Sequence, residues 1–269
     1  MTEARPSLVV SGLGLQFGGV VALRDVSLTH RADEVLGVIG PNGAGKTSLI
    51  NCITGIYAPT SGSVERGGRR LDGLRPDAIV ATGIARTFQH NQLCSELTVR
   101  ENVLLGCHRR LGYGMVKAAL GFGPSARAER RLRGEVEPIL ELLGLSDRAH
   151  QQAGSLPYGL QKRTEMARAL ALGPEVLLLD EPAAGTSDED RASLVQIIKR
   201  IREQGACSVL LIEHDVRMVM EVSDRVAVLD WGECLLVDKP SVVAADERVV
   251  AAYLGVEEDD LDVPNLEVT

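Results

Sequence analysis

The chain is poor in aromatic residues: Phe, Trp and Tyr make up 3% of its 269 positions, against a hydrophobic total of 45%. Its core must therefore be aliphatic, and there is enough apolar material for one large α/β domain or two smaller lobes. No apolar run approaches the roughly 20 residues that span a bilayer, so no transmembrane segment is expected. The opening Met1-Thr2-Glu3-Ala4-Arg5-Pro6 lacks the apolar stretch of a signal peptide. Positive charge is in deficit, 29 Lys and Arg against 37 Asp and Glu for a net −8, which argues against nucleic acid as a partner. Cysteine is sparse and unpatterned. Cys52, Cys94, Cys107, Cys207 and Cys234 show no Cys-x-x-Cys spacing, which argues against a zinc site and suits reduced thiols in the cytoplasm.

What is present is a glycine-rich octapeptide, Gly40-Pro41-Asn42-Gly43-Ala44-Gly45-Lys46-Thr47, that fits G-x-x-x-x-G-K-[ST]. An apolar run, Val35 to Ile39, precedes it, and a helix-like segment, Thr47-Ser48-Leu49-Ile50-Asn51, follows. That strand–loop–helix setting is the one in which backbone N–H groups turn toward phosphate oxygens and a helix N-terminus adds partial positive charge. Lys46 reaches the β- and γ-phosphates in such a loop, and Thr47 offers a hydroxyl to Mg²⁺.

Around this motif the pattern changes by region. Residues 8–39 alternate short apolar pieces with turns, Gly18-Gly19 among them, and predict a small antiparallel sheet leading into the strand before the loop. Residues 62–75 predict a further β piece around Gly67-Gly68. Residues 95–150 read as mainly helical, with Leu132, Val136, Ile139, Leu140 and Leu143 at helical spacing and a Gly-rich loop from Gly112 to Pro124. A helix is expected over Gly159–Leu170, and buried parallel strands at 176–180 and 208–212. A hairpin follows, Val226–Leu229 and Cys234–Val237, joined by Asp230-Trp231-Gly232-Glu233. The tail 257–269 is acidic and expected to be mobile.

A phosphate loop alone leaves kinase, GTPase, motor and transporter ATPase open. The second half of the chain narrows the field. The run Val176 to Leu179 ends in Asp180-Glu181. A carboxylate at the end of a buried strand can hold Mg²⁺ through water, and the next one can act as general base toward an attacking water. Upstream lies Leu156-Pro157-Tyr158-Gly159-Leu160-Gln161-Lys162-Arg163, running into Glu165-Met166-Ala167-Arg168-Ala169-Leu170. This resembles the signature of ABC-type ATPases, and motif order, spacing and length resemble an ABC nucleotide-binding subunit over about residues 7–256.

The resemblance implies an α/β fold: a P-loop NTPase (RecA-like) core with a mainly parallel sheet, an N-terminal antiparallel β subdomain and an inserted α-helical subdomain at about 90–155. It implies ATP and Mg²⁺ at the site. Gly40, Pro41, Asn42, Gly43, Ala44, Gly45, Lys46, Thr47 and Ser48 would cradle the phosphates, and Phe17 would stack on adenine. Thr47, Gln89 and Asp180 would serve Mg²⁺. Glu181, His214, Lys46 and Gln89 would carry the hydrolysis. Tyr158, Gly159 and Gln161 would close over nucleotide held by another subunit. Finer likenesses in Thr98-Val99-Arg100-Glu101-Asn102, Glu181-Pro182-Ala183-Ala184-Gly185 and Val250-Ala251-Ala252-Tyr253-Leu254-Gly255 point to the ATPases of branched-chain amino acid importers. That branch implies a second, related ATPase subunit, transmembrane permease subunits, indirectly an extracytoplasmic solute-binding protein, no nucleic acid, and a peripheral place on the cytoplasmic face of the membrane. The alternative is a soluble, non-transport ABC ATPase. A GTPase would want Asn-Lys-x-Asp, and the chain holds no Asn-Lys.

Two departures from the common family pattern stand out. Pro157 replaces the signature serine, and is expected as the first helical residue with the amides of Tyr158 and Gly159 taking the anion contact. Ser187 occupies a position where the family usually has Asp or Asn, with Asp188 as the expected substitute.

Overall fold

The structure, a computed structural model, describes residues 6–87, 93–107 and 126–254. Gln89, the 112–124 segment and the 257–269 tail lie outside the described residues. The chain divides into two compact units, the first made of residues 1–82 and 208–269 and the second of residues 83–207.

In the first unit, β1 (Pro6–Phe17) and β2 (Val20–Arg31) form a hairpin that turns at Gly18. On β1 the buried residues Leu8 and Val10 give way to Leu13 and Leu15. The one-residue slip in alternation falls at the register shift between Val10 and Leu13, where Gly12 has φ 58°. β4 (Ser61–Arg66) and β5 (Arg69–Arg70) complete a four-stranded antiparallel sheet ordered β2-β1-β4-β5. β3 (Val35–Ile39) is buried at every residue and pairs in parallel with β8 (Ser208–Ile212) and β9 (Arg225–Asp230). Burial on both faces is why these runs are continuously aliphatic rather than alternating. β10 (Glu233–Asp238) returns antiparallel to β9. The strands reach further than the sequence predicts. Asp230 sits opposite Glu233, so the link is two residues, Trp231-Gly232, at φ 43° and 82°. Positive φ at both positions is the type I′ geometry that matches strand twist.

In the second unit, β6 (Ile84–Arg86) and β7 (Val176–Asp180) pair in parallel. The unit's helices include Val99–Cys107, Ala126–Leu142, Tyr158–Ala171 and Asp188–Glu203, and Tyr158–Ala171 packs against β6. Val136, Leu140 and Leu143 are fully buried, as their helical spacing predicts; the Leu132 side chain lies outside the described residues. The Thr98-Val99-Arg100-Glu101-Asn102 stretch has a local explanation. Thr98 and Glu101 exchange hydrogen bonds as a capping box, with the Thr98 N–H donating to Glu101 (2.8 Å) and the Glu101 N–H to the Thr98 hydroxyl (3.2 Å). The Thr98 N–H and hydroxyl both donate to the Glu101 carboxyl and hold it below its usual range. Asn102, fully buried, bonds the backbone of Cys94, Leu97 and Thr98, and so shapes the loop that enters the helix.

Candidate functional site

The phosphate-type loop is in the first unit, between β3 and the helix Lys46–Ile53. Its glycines are required by geometry at two places. Gly45 caps the helix at φ 99°, and a Cβ there would come within 2.7 Å of the Ala22 carbonyl. A Cβ on Gly40 would collide with the Leu229 carbonyl. The loop is held from behind by the β9–β10 turn: the Gly232 N–H donates to the Ala44 carbonyl (3.2 Å), while the Arg24 N–H donates to the Gly232 carbonyl (2.7 Å). Lys46 is 5% exposed, and its ammonium donates to the carbonyls of Gly40 (2.6 Å) and Pro41 (3.0 Å). Asn42, Gly43 and Thr47 are exposed, and Ser48 is half-buried. Such a loop offers a helix N-terminus, a buried ammonium and an exposed hydroxyl, the donor set that suits a polyphosphate with a divalent cation.

Phe17, at the end of β1, is no core residue. It is 47% exposed and meets Tyr57 edge-on, with ring centroids 5.1 Å apart. An exposed face is what base stacking needs. His214 is exposed and lies two residues beyond the end of β8. Its N–H donates to the buried Glu213 carboxylate (3.1 Å), and Asp215 caps the next helix by accepting from the Met218 N–H. A cavity of about 500 Å³ runs along the loop, lined by Pro41, Asn42, Gly43, Trp231, Arg248 and Ala252. Tyr253, in the chain's branch-like ending, meets the loop at Gly40. Burial pushes its phenol up, partly offset by a hydrogen bond from the Gly40 backbone.

The carboxylate pair is in the second unit, at the C-terminal end of β7. Asp180 is 1% exposed; its Oδ2 accepts from Arg86 Nη2 at 2.6 Å, and its N–H donates to the Thr87 hydroxyl at 3.4 Å. Its Oδ1 is buried without a hydrogen-bond partner among the described residues. An orphaned carboxylate oxygen is costly unless something else, such as a cation or its water, completes it. Arg86 and Thr87 lie three and two residues before Gln89, and the structure joins both to Asp180. Glu181 is half-buried with φ 49°, a conformation that costs a non-glycine residue about 1–3 kcal/mol and collects at functional positions.

The signature-like segment is also in the second unit. Pro157 is the N-cap rather than the first helical residue: at ψ 149° it is extended, and its carbonyl accepts from the Leu160 and Gln161 N–H groups. The Tyr158 and Gly159 amides precede those first intrahelical bonds, as the sequence requires for an anion contact. Gly159 is nevertheless buried, and a Cβ on it would strike the Asp190 carboxylate. Arg163 donates to Asp190 (3.2 Å) and so offsets that charge. The Gln161 amide donates to the Leu156 carbonyl (2.8 Å). Tyr158 is 42% exposed, with the Lys162 ammonium 5.6 Å from its ring centroid. The acidic side chain joined to Ser187 is Asp190, not Asp188. Ser187 caps the helix Asp188–Glu203 by accepting from the Asp190 N–H (3.2 Å) and donates to its carboxylate (2.8 Å). The Asp188 side chain is 98% exposed, because it starts the helix on the solvent side.

Comparison with known proteins bears on the family and the fold. A family model described as ABC transporter matches residues 23–184. The chain is 41% identical over 252 residues to the high-affinity branched-chain amino acid transport ATP-binding protein LivG of Salmonella typhimurium, covering 94% of this chain and 99% of that protein. It is 39% identical over 252 residues to the corresponding protein BraF of Pseudomonas aeruginosa, with the same coverage. Among solved structures, an ATP-binding cassette of an ABC transporter in its ADP conformation superposes with a TM-score of 0.81 at 30% identity, covering 94% of this chain and all of the other. A dimeric post-hydrolysis cassette bound to ADP and Pi superposes at 0.71 with 25% identity, covering 87% and 98%.

Proposed function

The chain belongs to the ABC transporter family, and from that premise we propose that it is the ATP-binding and ATP-hydrolysing subunit of an importer for branched-chain amino acids or related small polar solutes. The observation that carries this reading is the loop Gly40–Thr47, built on left-handed glycines between a buried strand and a helix, in a chain 41% identical to such a transport ATPase over nearly its whole length. That near-complete coverage also favours it over a soluble, non-transport ATPase.

The roles follow from the local chemistry. The amides of residues 43–48 donate to phosphate oxygens, and Lys46 exchanges its two carbonyl partners for the β- and γ-phosphates. Phe17 stacks on the adenine. Each residue by itself suits a Mg²⁺ ion: Thr47 is exposed and carries a hydroxyl, and Asp180 has a buried oxygen without a partner among the described residues. Thr47, Gln89 and Asp180 would hold the ion, and its charge would supply the neutralisation that the phosphates need. Glu181 takes the proton of the attacking water, while His214 and Lys46 stabilise the charge that develops on the γ-phosphate. Tyr158, Gly159 and Gln161 belong to the surface that faces nucleotide on a second ABC ATPase subunit. Residues 7–256 form the nucleotide-binding domain, about 90–155 its helical subdomain, and 257–269 an acidic tail.

Among the described residues no helix is long and apolar enough to cross a membrane. The chain sits peripherally at the cytoplasmic face of the membrane, where its membrane contact is supplied by transmembrane permease subunits that receive solute from an extracytoplasmic binding protein. The test is calorimetric binding of ATP and GTP with and without Mg²⁺, followed by leucine uptake in vesicles carrying the assembled transporter. ATP-selective binding and uptake lost in Lys46→Ala support the reading. Failure to bind ATP overturns it.

A further inference from the structure

We propose that Arg86 is the positioning residue that aims Asp180 at the cation, by pinning one carboxylate oxygen so that the other stays presented. The inference rests on the reading that Asp180 serves Mg²⁺.

The arrangement begins in the sheet. β6 and β7 run parallel with Arg86 opposite Leu178, so Arg86 leaves the C-terminal end of one strand beside the C-terminal end of the other. The Thr87 N–H donates to the Leu178 carbonyl (3.0 Å), and the Thr87 hydroxyl receives the Asp180 N–H. Both backbones are thereby fixed before the guanidinium acts. The guanidinium then takes Oδ2 at 2.6 Å, with side-chain exposures of 10% for Arg86 and 0% for Asp180. At that depth the pair is little screened by solvent. A guanidinium does not lose its charge at any working pH, so the pin is permanent.

The other oxygen, Oδ1, is the informative one. A carboxylate free to rotate would bring it to the Thr87 hydroxyl or to another donor. Held by Arg86, it stays without a protein partner in a buried place. Ligands of metal ions are commonly oriented by such outer partners, whose loss typically weakens metal affinity 10–100-fold. Arg86 would act through Asp180, without touching the nucleotide.

The test measures ATP affinity of the full chain by calorimetry, first in EDTA and then over a Mg²⁺ series. In Arg86→Gln the Mg²⁺ concentration giving half of the affinity gain should rise by about 10-fold or more, with the EDTA affinity unchanged. Arg86→Lys, which keeps the charge but not the planar fork, should recover part of the loss. An unchanged Mg²⁺ requirement overturns the proposal, and so does a lowered one, which would make Arg86 a competitor of the cation. If Arg86→Gln does not fold, Arg86→Lys carries the test alone, and a requirement equal to that of the unaltered chain overturns the role. An unaltered chain that binds ATP equally with and without Mg²⁺ overturns the magnesium reading itself, which keeps the two failures apart.

Discussion

The loop at Gly40–Thr47 and the segment at Leu156–Gln161 both lead into a helix, yet they are built by opposite means. The first is a backbone construction. Gly40, Gly43 and Gly45 adopt positive φ, and main-chain atoms of Ala22, Leu229 and Gly232 crowd or bond the loop from behind. The second contains no left-handed residue and is held by side chains: Gln161 to the Leu156 carbonyl, and Arg163 and Ser187 to Asp190 beside Gly159. A loop that must wrap phosphate closely needs amides in fixed directions, and only backbone packing fixes them that firmly. A surface that meets a ligand held elsewhere tolerates Pro157 and an exposed Tyr158. The phosphate loop should therefore respond to nucleotide in the isolated chain, and the signature segment only once subunits assemble.

The largest expected effect lies in the carboxylate pair. Glu181→Gln should slow ATP hydrolysis by roughly 10²–10⁴-fold while leaving ATP affinity unchanged, read by phosphate release and calorimetry. Hydrolysis at the ordinary rate would remove the base from the second unit. Next comes acid stability, which separates the two units. His30 is buried on β2, its Nδ1 has no partner, and desolvation brings its pKa to about 4. The unfolded chain takes up that proton first. Stability is therefore intact above the ordinary pKa of 6.5 and is lost as pH falls toward 4, by about 3 kcal/mol in all. Denaturant melts at pH 7 and 4.5 should show this loss, and His30→Gln should flatten it; an equal pH dependence in the variant would assign the loss elsewhere.

Lys46→Ala should weaken ATP binding by about 10–100-fold, the worth of a hydrogen bond to a charged group. Tyr158→Ala should leave the binding of the isolated chain unchanged and lower only the hydrolysis of the assembled dimer. Equal losses of affinity in both variants would break the contrast between the two loops. Asp190→Ala should reduce stability by about 0.5–2 kcal/mol in thermal melts, through the cap it shares with Ser187 and the pair with Arg163.

What the sequence showed and hid follows from separation along the chain. The phosphate loop was legible because its strand, glycines, lysine and helix are contiguous. The strands at 176–180 and 208–212 were legible from unbroken aliphatic runs. The Arg86–Asp180 pair was not, because it joins residues 94 positions apart and depends on which strands are neighbours. The bond between Ser187 and Asp190 is local, and the Ser-x-x-Asp spacing of a capping box points to it. Pro157 was set one residue too far into its helix, since a proline suits both the cap and the first turn. His30 was overlooked although the alternation Val26, Leu28, His30 on β2 put it on the inward face.

The turn at Trp231-Gly232 has a consequence for any attempt to move this nucleotide grip into another protein. A graft of residues 35–53 would carry the glycines, the lysine and the hydroxyl, yet leave behind the backbone of Ala22 and Gly232 that braces them. The transplanted stretch would have to order itself at the moment of binding, and its affinity would fall by that entropy.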